Sequence, residues 1–312
     1  MRRALAVCAA GFWSCAPPDG SSVNRASATG SQSPPIAESA EAPSGATTGT
    51  TAPPSNGSLP EGSVVPRSVE AMPDARVPFV LVLHGYGGSG ARFARHFQLA
   101  RMAEKRKLIY IAPDGTPDAR DNRFWNAGPA CCNFGDVDVD HVRELGAILK
   151  QASEANRVDP SRIYVVGYSN GGFMAHRLGC DVGGIRGILS VAGAGVVDPS
   201  QCAHAPDVVI EVHGDADRVV PFEGGNVLSR RNVVAHPGAI ATVTGWANKK
   251  GCTASPRMIG ALDLEDSLPD AETEHLNFSC AENVTLLKVK GAGHLLASSS
   301  PAIDALMDLL MK

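Results

Sequence analysis

The chain has 312 residues, a formal net charge of −4 and 44% hydrophobic residues. Because it contains no basic run, we do not expect it to bind nucleic acid, which depends on neutralising phosphates. No apolar stretch reaches the roughly 18 residues of a membrane-spanning helix. The 33 glycines follow no fixed period, which excludes collagen-like and solenoid architectures.

The N-terminus has the pattern of an export signal. A short basic region over 1–3 is followed by a mostly apolar run over 4–13, so we predict a signal peptide over 1–15. Cys15 follows a small residue, as at a bacterial lipoprotein cleavage site, and we expect it to be lipidated; ordinary signal cleavage is the alternative. The predicted protein is secreted, or anchored by lipid at the bacterial cell envelope, with outer-membrane sorting.

The next segment, 16–66, is rich in Ser, Thr, Pro, Ala and Gly, and no aromatic residue occurs between Trp13 and Phe79. Such a stretch cannot bury enough apolar surface to offset its conformational entropy, so we predict a disordered tether. Length alone would suggest two domains. With the tether set aside, we predict one globular domain over 67–312.

Strands and helices alternate through this domain. Continuous apolar runs predict strands buried on both faces, and helical spacing predicts the helices between them. The predicted strands are 78–83, 108–112, 162–166, 185–191, 208–212 and 284–289, and the predicted helices are 92–105, 137–154, 173–178, 240–250 and 302–311. This order favours an α/β fold with a mostly parallel, doubly wound sheet and helices on both faces. Functional sites in such sheets lie at the carboxyl ends of the strands.

The segment Gly167-Tyr-Ser-Asn-Gly171 fits the pattern G-x-S-x-G, follows a buried strand and opens a helix. That context is typical of a nucleophile elbow, in which a sharp turn projects the serine from the sheet. We therefore predict Ser169 as a nucleophile. The alternative is a structural Gly-rich turn.

A second Gly-rich segment, His84-Gly-Tyr-Gly-Gly88, follows the first predicted strand. Glycines let backbone N–H groups approach a substrate, and acyl transfer needs two donors for the tetrahedral oxyanion. We predict the N–H groups of Tyr86 and Asn170 as these donors. Phosphate binding is disfavoured because the phosphate-loop and dinucleotide patterns are missing from the sequence.

An acid and a base follow two later strands. Asp217 is the predicted acid, with Asp215 as the second choice, and His294 is the predicted general base. The order Ser, Asp, His is the one expected for α/β-hydrolases. Ser169 would attack a carbonyl, His294 would take and return the proton, and Asp217 would hold the imidazole tautomer. Either aspartate could instead cap a turn. This chemistry requires no metal and no organic cofactor.

The cysteines beyond the tether agree with export. Six of them allow 15 pairings, and without a CxxC or a His-x3-His spacing a zinc site is a poor alternative. We predict the disulfides Cys180–Cys202 and Cys252–Cys280. Cys131 and Cys132 either bond to each other, which is the pairing we adopt, or one of them reaches a distant partner. Buried free thiols are the alternative.

Several segments together carry a family resemblance: 83–89, 125–128 with 131–132, 167–174, 213–217 with 220–222 and 224–225, and 246 with 251–252. Residues 78–312 resemble the α/β-hydrolases of the polyhydroxybutyrate depolymerase and feruloyl/acetylxylan esterase family, which includes mycobacterial-type lipoprotein esterases. The resemblance implies a serine esterase with the triad Ser169, Asp217 and His294, and with Tyr86 and Asn170 as oxyanion donors.

The expected substrate is a small, oligomeric or polymeric ester of the short-chain hydroxyalkanoate type. A feruloyl or acetylxylan esterase acting on plant cell walls is the alternative, ahead of a peptidase or a non-catalytic surface lipoprotein. Relatives carry a Thr-Trp-Pro-like sequence after the histidine where this chain has Leu295-Leu-Ala-Ser298, which argues against feruloyl specificity. The chain ends after its last predicted helix, so we expect no appended binding module. Trp125 and Phe222 are the expected substrate contacts; a core or lid anchor is the alternative for Trp125.

Overall fold

The structure is a computed structural model that describes residues 57–196, 198–230, 232–295 and 299–312. The helices in this part are α1 (Arg67–Glu70), α2 (Gly90–His96), α3 (Leu99–Arg106), α4 (His141–Glu154), α5 (Asn170–Asp181), α6 (Ala239–Lys249) and α7 (Ser300–Leu310). The strands are β1 (Val77–Leu83), β2 (Ile109–Ile111), β3 (Thr116–Pro117), β4 (Arg123–Phe124), β5 (Val158–Tyr168), β6 (Gly187–Val191), β7 (Val208–Gly214), β8 (Gly224–Gly225), β9 (His236–Pro237), β10 (Arg257–Leu262), β11 (Thr273–Phe278) and β12 (Ala281–Val289).

Eight of these strands form one sheet in the order β10-β11-β12-β7-β6-β5-β1-β2. The six strands from β12 to β2 run parallel, whereas β10, β11 and β12 pair antiparallel. The predicted mostly parallel sheet is thus confirmed. The hairpin of β10 and β11 was not predicted, because β10 is exposed along most of its length and has no alternating apolar pattern.

Helices cover both faces of the sheet, as predicted. Successive side chains of a strand point to opposite faces, and strand β1 shows the result. Phe79, Leu81 and Leu83 pack with residues of α4, α5 and α6. Val80 and Val82 pack on the other face with residues of α2, α3 and α7. Because all five side chains are fully buried, this strand reads in the sequence as a continuous apolar run.

The bounds of the predicted helices differ from those in the structure: the helix predicted over 173–178 spans Asn170–Asp181, and two further differences have a clear local cause. The predicted helix over 92–105 is broken into α2 and α3, because Gln98 adopts a left-handed conformation with φ of 49°. The helix predicted from residue 137 begins only at His141. Its N-terminus is fixed by Asp140, whose side chain accepts a hydrogen bond from the Arg143 N–H at 3.0 Å.

Residues 57–66 belong to the folded domain, although the sequence places them in the tether. Val64 forms a β-bridge with Tyr110, to whose carbonyl it donates at 2.7 Å, and Leu59 and Val65 pack against the core. The predicted signal peptide, Cys15 and the tether up to residue 56 lie outside the described residues. None of the helices that the structure describes has the length and apolar character needed to cross a membrane.

Candidate active site

Ser169 lies on a strained turn between β5 and α5, with φ of 53° and ψ of −118°. The glycines that flank it are required by space. A Cβ on Gly167 would lie 2.0 Å from the Gly171 carbonyl oxygen, and a Cβ on Gly171 would lie 2.1 Å from the Leu83 carbonyl oxygen. These contacts are with backbone atoms, which cannot rotate away. The turn therefore has the geometry of a nucleophile elbow.

The structure brings the three predicted triad residues together at the carboxyl ends of β5, β7 and β12. The Ser169 Oγ lies 2.9 Å from Nε2 of His294, and Nδ1 of His294 lies 2.7 Å from Oδ2 of Asp217. The other carboxylate oxygen of Asp217 accepts from the backbone N–H groups of Val219 and Val220 at 2.8 and 2.9 Å. A hydrogen-bonded path thus runs from a buried carboxylate through an imidazole to a hydroxyl.

Asp217 is held in its ionised form. Burial alone would raise the pKa of its carboxyl group, but the hydrogen bonds from His213 and His294 outweigh it and hold the pKa well below the usual range. A carboxylate that stays charged can keep a proton on Nδ1 of His294, which leaves Nε2 free to accept the serine proton.

Asp215, the second choice for the acid, has another place in the structure. Its Oδ1 accepts from the Gly291 N–H at 2.7 Å, and its Oδ2 lies 3.5 Å from the ammonium of Lys288. Asp215 therefore stabilises the loop that leads to His294, whereas Asp217 contacts the imidazole of His294.

Tyr168, which the sequence did not single out, supports His294 from the side. Its hydroxyl donates to the His294 carbonyl at 3.2 Å, and the two rings are 5.4 Å apart. Burial raises the pKa of Tyr168, and the nearby charge of Asp217 raises it further, so the hydroxyl remains a donor. In the sequence, the only signal for this role of Tyr168 is its position next to Ser169. Its partner His294 is 126 residues away, so no short motif contains both residues.

The Gly-rich loop after β1 passes directly beside the serine. A Cβ on Gly85 would lie 3.3 Å from the Ser169 Cβ, and the Tyr86 hydroxyl donates to the Asp118 carboxylate. The N–H groups of Gly87 and Gly88 already donate to carbonyl groups of Arg123 and Gly85. In the described part of the chain, the Tyr86 N–H has no protein acceptor.

The second predicted oxyanion donor is also free of a protein acceptor among the described residues. Asn170 is the first residue of α5, and the first N–H groups of a helix have no partner within it. The structure therefore leaves the N–H groups of both predicted donors, Tyr86 and Asn170, available beside the serine.

The side chain of Asn170 has a separate structural task. Its Oδ1 accepts from the Trp125 N–H at 2.7 Å, and its Nδ2 donates to the Trp125 carbonyl at 2.9 Å. The Trp125 ring is 2% exposed, and its Nε1 donates to the His84 carbonyl at 2.9 Å. This burial corrects the expected substrate contact: Trp125 is a core anchor, which was the alternative.

Phe222 is likewise not a surface for substrate. It is 4% exposed and packs edge-on against the ring of His213. The sequence motif locates Phe222 close to Asp217 along the chain. Whether its ring points into a cleft or into the core depends on packing, which a sequence motif does not record.

An open cleft of about 320 Å³ lies along the Gly-rich loop. It is lined by residues of that loop, by Arg92, Phe93 and His96 of α2, by Tyr168 beside the serine, and by Leu295 after the histidine. Its size falls in the range of small-molecule sites, about 300–1,000 Å³. Tyr86, Phe93 and Tyr168 give this cleft aromatic walls.

A larger cavity, of about 610 Å³, lies beside Cys131 and is lined by apolar residues together with polar ones such as Asn133, Asp140 and Arg177. None of the three triad residues lines this cavity or the cleft. Of these two, the smaller cleft is the one lined by the chain neighbours of the serine and the histidine, Tyr168 and Leu295.

All three predicted disulfides are present: Cys131–Cys132, Cys180–Cys202 and Cys252–Cys280. The first lies next to the elbow, since the Asn170 Nδ2 is 3.7 Å from the Cys131 Sγ. Within the described residues, no group of three or more His, Cys, Asp or Glu side chains is placed to hold a metal ion.

Comparison with known proteins shows to which family the chain belongs. The profile described as "Phospholipase/Carboxylesterase" matches residues 66–244. "Putative esterase NocK" of Nocardia uniformis subsp. tsuyamanensis is 35% identical over 159 residues, 49% of this chain and 44% of that protein. "Feruloyl esterase B" of Piromyces equi is 26% identical over 228 residues, 71% of this chain and 40% of that protein. The chain thus spans less than half the length of these two relatives.

Among solved structures, an acetyl xylan esterase from Aspergillus awamori has a TM-score of 0.57 at 15% identity, over 79% of this chain and 92% of that one. At this identity the likeness shows the fold alone. Sheet order, elbow and neighbouring structures define the protein as an α/β-hydrolase. The chain belongs to the phospholipase/carboxylesterase family, whose profile covers more than half of it. The predicted fold and the resemblance to esterases are confirmed.

Proposed function

We propose that this protein is a serine carboxylic ester hydrolase that works through an acyl-enzyme, with Ser169 as nucleophile, His294 as general base and Asp217 as the orienting acid. The observation that carries the proposal is the pair of hydrogen bonds, 2.9 and 2.7 Å long, that joins these three side chains at a nucleophile elbow. Such a path has the parts that acyl transfer requires.

The acylation step follows from the positions of the protons. The Ser169 Oγ attacks the ester carbonyl carbon while its proton moves to Nε2 of His294. The carbonyl oxygen becomes an oxyanion that accepts from the N–H groups of Tyr86 and Asn170. When the intermediate collapses, the bond to the alcohol oxygen breaks, and Nε2 gives its proton to the leaving alcohol.

Deacylation repeats the same steps with water. A water molecule gives a proton to Nε2 of His294 and attacks the acyl carbon, and the second intermediate expels the Ser169 oxygen, which regains the proton. Asp217 remains ionised throughout and stabilises the imidazolium that forms at each step, since its carboxylate contacts Nδ1 at 2.7 Å.

For the substrate, the relatives favour the alternative of a feruloyl or acetylxylan esterase over the hydroxyalkanoate esters that we expected first. One relative that covers 71% of this chain is named a feruloyl esterase. The cleft supports an aromatic acyl group, because Tyr86, Phe93 and Tyr168 line it. These rings supply an aromatic wall in place of the Thr-Trp-Pro-like sequence that this chain does not carry after His294, so we propose feruloyl and related esters as substrates.

Export remains part of the proposal. Three disulfides in the described domain support an oxidising compartment, where such bonds persist. We propose that the signal peptide over 1–15 directs the chain out of the cytoplasm, and that a lipid on Cys15 holds the domain at the cell envelope through the following tether.

The test is a substrate panel measured with the purified protein and with its Ser169→Ala variant. Methyl ferulate, p-nitrophenyl acetate, p-nitrophenyl butyrate and p-nitrophenyl octanoate report acyl preference, and a matched amide separates an esterase from a peptidase. We expect ferulate turnover that falls by about 10⁴-fold or more in the variant. Serine-dependent turnover of short acyl esters alone would return the substrate to the hydroxyalkanoate type. No turnover of any ester by the wild-type protein would overturn the proposed activity.

A further inference from the structure

A chain of buried polar side chains continues from the triad into the core, behind Asp217. His213 Nε2 lies 3.4 Å from the Asp217 Oδ2, and His213 Nδ1 lies 3.0 Å from Oε1 of Glu211. The other oxygen of Glu211 lies 2.9 Å from Nε2 of His176, whose Nδ1 is 3.0 Å from Nε1 of Trp246. The four residues behind Asp217 are no more than 1% exposed.

The protons in this row of hydrogen-bonded side chains can be assigned from the two ends of the row. Trp246 Nε1 can only donate, so Nδ1 of His176 accepts and its Nε2 carries the proton that Glu211 receives. At the other end, Nε2 of His213 lies 2.8 Å from the Val220 carbonyl oxygen, which can only accept. Nε2 of His213 therefore carries a proton, and its Nδ1 faces the Glu211 carboxylate.

The charge on His213 follows from that on Glu211. An ionised carboxylate that is fully buried needs a compensating charge as well as hydrogen bonds. Because His176 is fixed as a neutral donor, His213 is the group that can compensate Glu211, and it does so with a second proton on Nδ1. Burial would lower the pKa of His213, but hydrogen bonds with Asp217 and Glu211 raise it to about 10. Burial would raise the pKa of Glu211, but hydrogen bonds from His176 and His213 hold it below the usual range.

Resting on the proposed esterase function, we propose that Glu211 and His213 are positioning residues of the catalytic site: a buried ion pair whose imidazolium faces Asp217 and fixes the carboxylate toward His294. Asp217 then lies between two imidazole rings. His213 belongs to β7, the strand that leads to Asp217, so the pair fixes the acid to the sheet as well as to the loop.

Other titratable groups surround this cluster. His236 of β9 is buried, with its Nδ1 bonded to the Pro237 carbonyl, and burial lowers its pKa. Tyr168 at the end of β5 faces His294 and stays protonated. Lys288 of β12 lies 5.5 Å above the ring of Phe222 and pairs with Asp215. Among the described residues, the positive charge that directly faces the Asp217 carboxylate, besides His294 when protonated, is that of His213.

The test is the variant Glu211→Gln, which keeps the shape of the side chain and removes the need for a charged His213. With that positive charge gone, the negative charge of Asp217 acts more strongly on His294 and favours its protonated form. We expect the acid limb of the kcat/KM profile to move to higher pH by about 0.5–1 unit. We also expect kcat to fall by about 10-fold while KM changes less than 2-fold.

Glu272→Gln is the matched control. Glu272 is also a buried glutamate, directly before β11, but it accepts from the N–H groups of Leu264 and Glu265 and not from a triad residue. A merely structural role would lower the thermal stability of both variants and leave both pH profiles in place. An unshifted acid limb in Glu211→Gln would therefore overturn the proposal.

A measurement on the unsubstituted protein covers the case in which Glu211→Gln does not fold. In protein labelled with ¹⁵N-histidine, we expect the His213 ring at pH 8 to show two protonated nitrogens, and the His176 ring to show one. A neutral His213 ring would overturn the proposal. This result does not depend on turnover, so an inactive protein with a charged His213 would contradict the proposed function and leave the ion pair standing.

Discussion

Gly171 shows how tightly single residues are constrained at the nucleophile. The position directly follows Asn170 in α5, and its backbone lies against the end of β1, where a Cβ would be 2.1 Å from the Leu83 carbonyl oxygen and 2.8 Å from that of His84. The same contact holds the serine turn against the oxyanion loop. Close approach of two backbones, and not turn flexibility, therefore requires glycine here.

We expect Gly171→Ala to destabilise the protein by about 3 kcal/mol, because the added carbon forces backbone atoms apart. The displaced elbow should also lower kcat/KM by about 100-fold. Urea unfolding and ester turnover check the two effects. Gly260→Ala is the control, since nothing lies within 4 Å of its added carbon, and it should stay within about 0.5 kcal/mol of the wild type. Equal stability of the two variants would contradict the account.

The raised pKa of His213 makes the free energy of unfolding depend on pH. Its pKa is raised from 6.5 to about 10 in the folded protein, so the stabilisation is complete below about pH 6.5 and is lost as pH rises toward 10. We expect the free energy of unfolding of the wild type to fall over this range more steeply than that of Glu211→Gln. Urea unfolding at pH 7 and pH 10 measures the difference, and parallel pH dependences would show that His213 carries no extra proton.

Sequence patterns predicted the triad because each member sits in a short motif at the end of a strand. They could not predict Tyr168 as a support for His294, or the pair Glu211 and His213, because the partners come from distant segments and the charge of a buried histidine depends on its neighbours. Trp125 was placed ambiguously for the same reason: only packing decides whether an aromatic ring lines a cleft or anchors a core.

At the scale of elements, the loop between β1 and α2 is held by side chains as well as by its glycines. The Tyr86 hydroxyl donates to Asp118, and this hydrogen bond is the main cause that lowers the pKa of Asp118 to about 2. The ring of Tyr86 also packs edge-on against Phe134, with centroids 5.2 Å apart. The N–H that would meet the oxyanion is thus positioned by the side chain of the same residue.

We expect Tyr86→Phe to keep the N–H donor but loosen the loop, with kcat falling about 3- to 10-fold and KM changing little, since the donor acts mainly in the transition state. Steady-state kinetics on a p-nitrophenyl ester measure this split. Tyr110→Phe on the edge strand β2 is the control and should leave both constants unchanged. A rise in KM with unchanged kcat would instead show that Tyr86 binds the ground state.

The boundaries of elements were harder to predict than their existence. The break between α2 and α3 depends on one left-handed residue, Gln98, and glutamine does not signal such a conformation. Strand β10 was not predicted because it is an exposed edge strand without an apolar pattern. Strand β11, between β10 and β12, was not predicted because its sequence contains no continuous apolar run. The buried parallel strands were predictable since both of their faces are apolar.

At the scale of the whole molecule, two disulfides join distant parts of the domain. Cys180–Cys202 links the end of α5 to the segment before β7 and closes a separation of 22 residues. Cys252–Cys280 links the segment after α6 to the turn between β11 and β12, over 28 residues. Both therefore restrict the unfolded chain, in addition to any effect on the folded one.

We expect the double variant Cys180→Ala/Cys202→Ala to lose about 3 kcal/mol of unfolding free energy, as the entropy of a loop of this length predicts. Urea unfolding measures the loss, and the control is the same comparison under reducing conditions, where the difference should largely disappear.

Mass analysis without reduction should find no alkylatable thiol among the six cysteines of the domain. Several free thiols would contradict the disulfide assignment.

We propose Ser169 as the nucleophile of an ester hydrolase. Its most direct test is reaction of the purified protein with a fluorophosphonate, followed by mass analysis of its peptides. We expect one phosphonyl group per chain on the peptide that contains Ser169, and none on the Ser169→Ala variant. A folded protein that forms no adduct, or an adduct that persists in the variant, would contradict it.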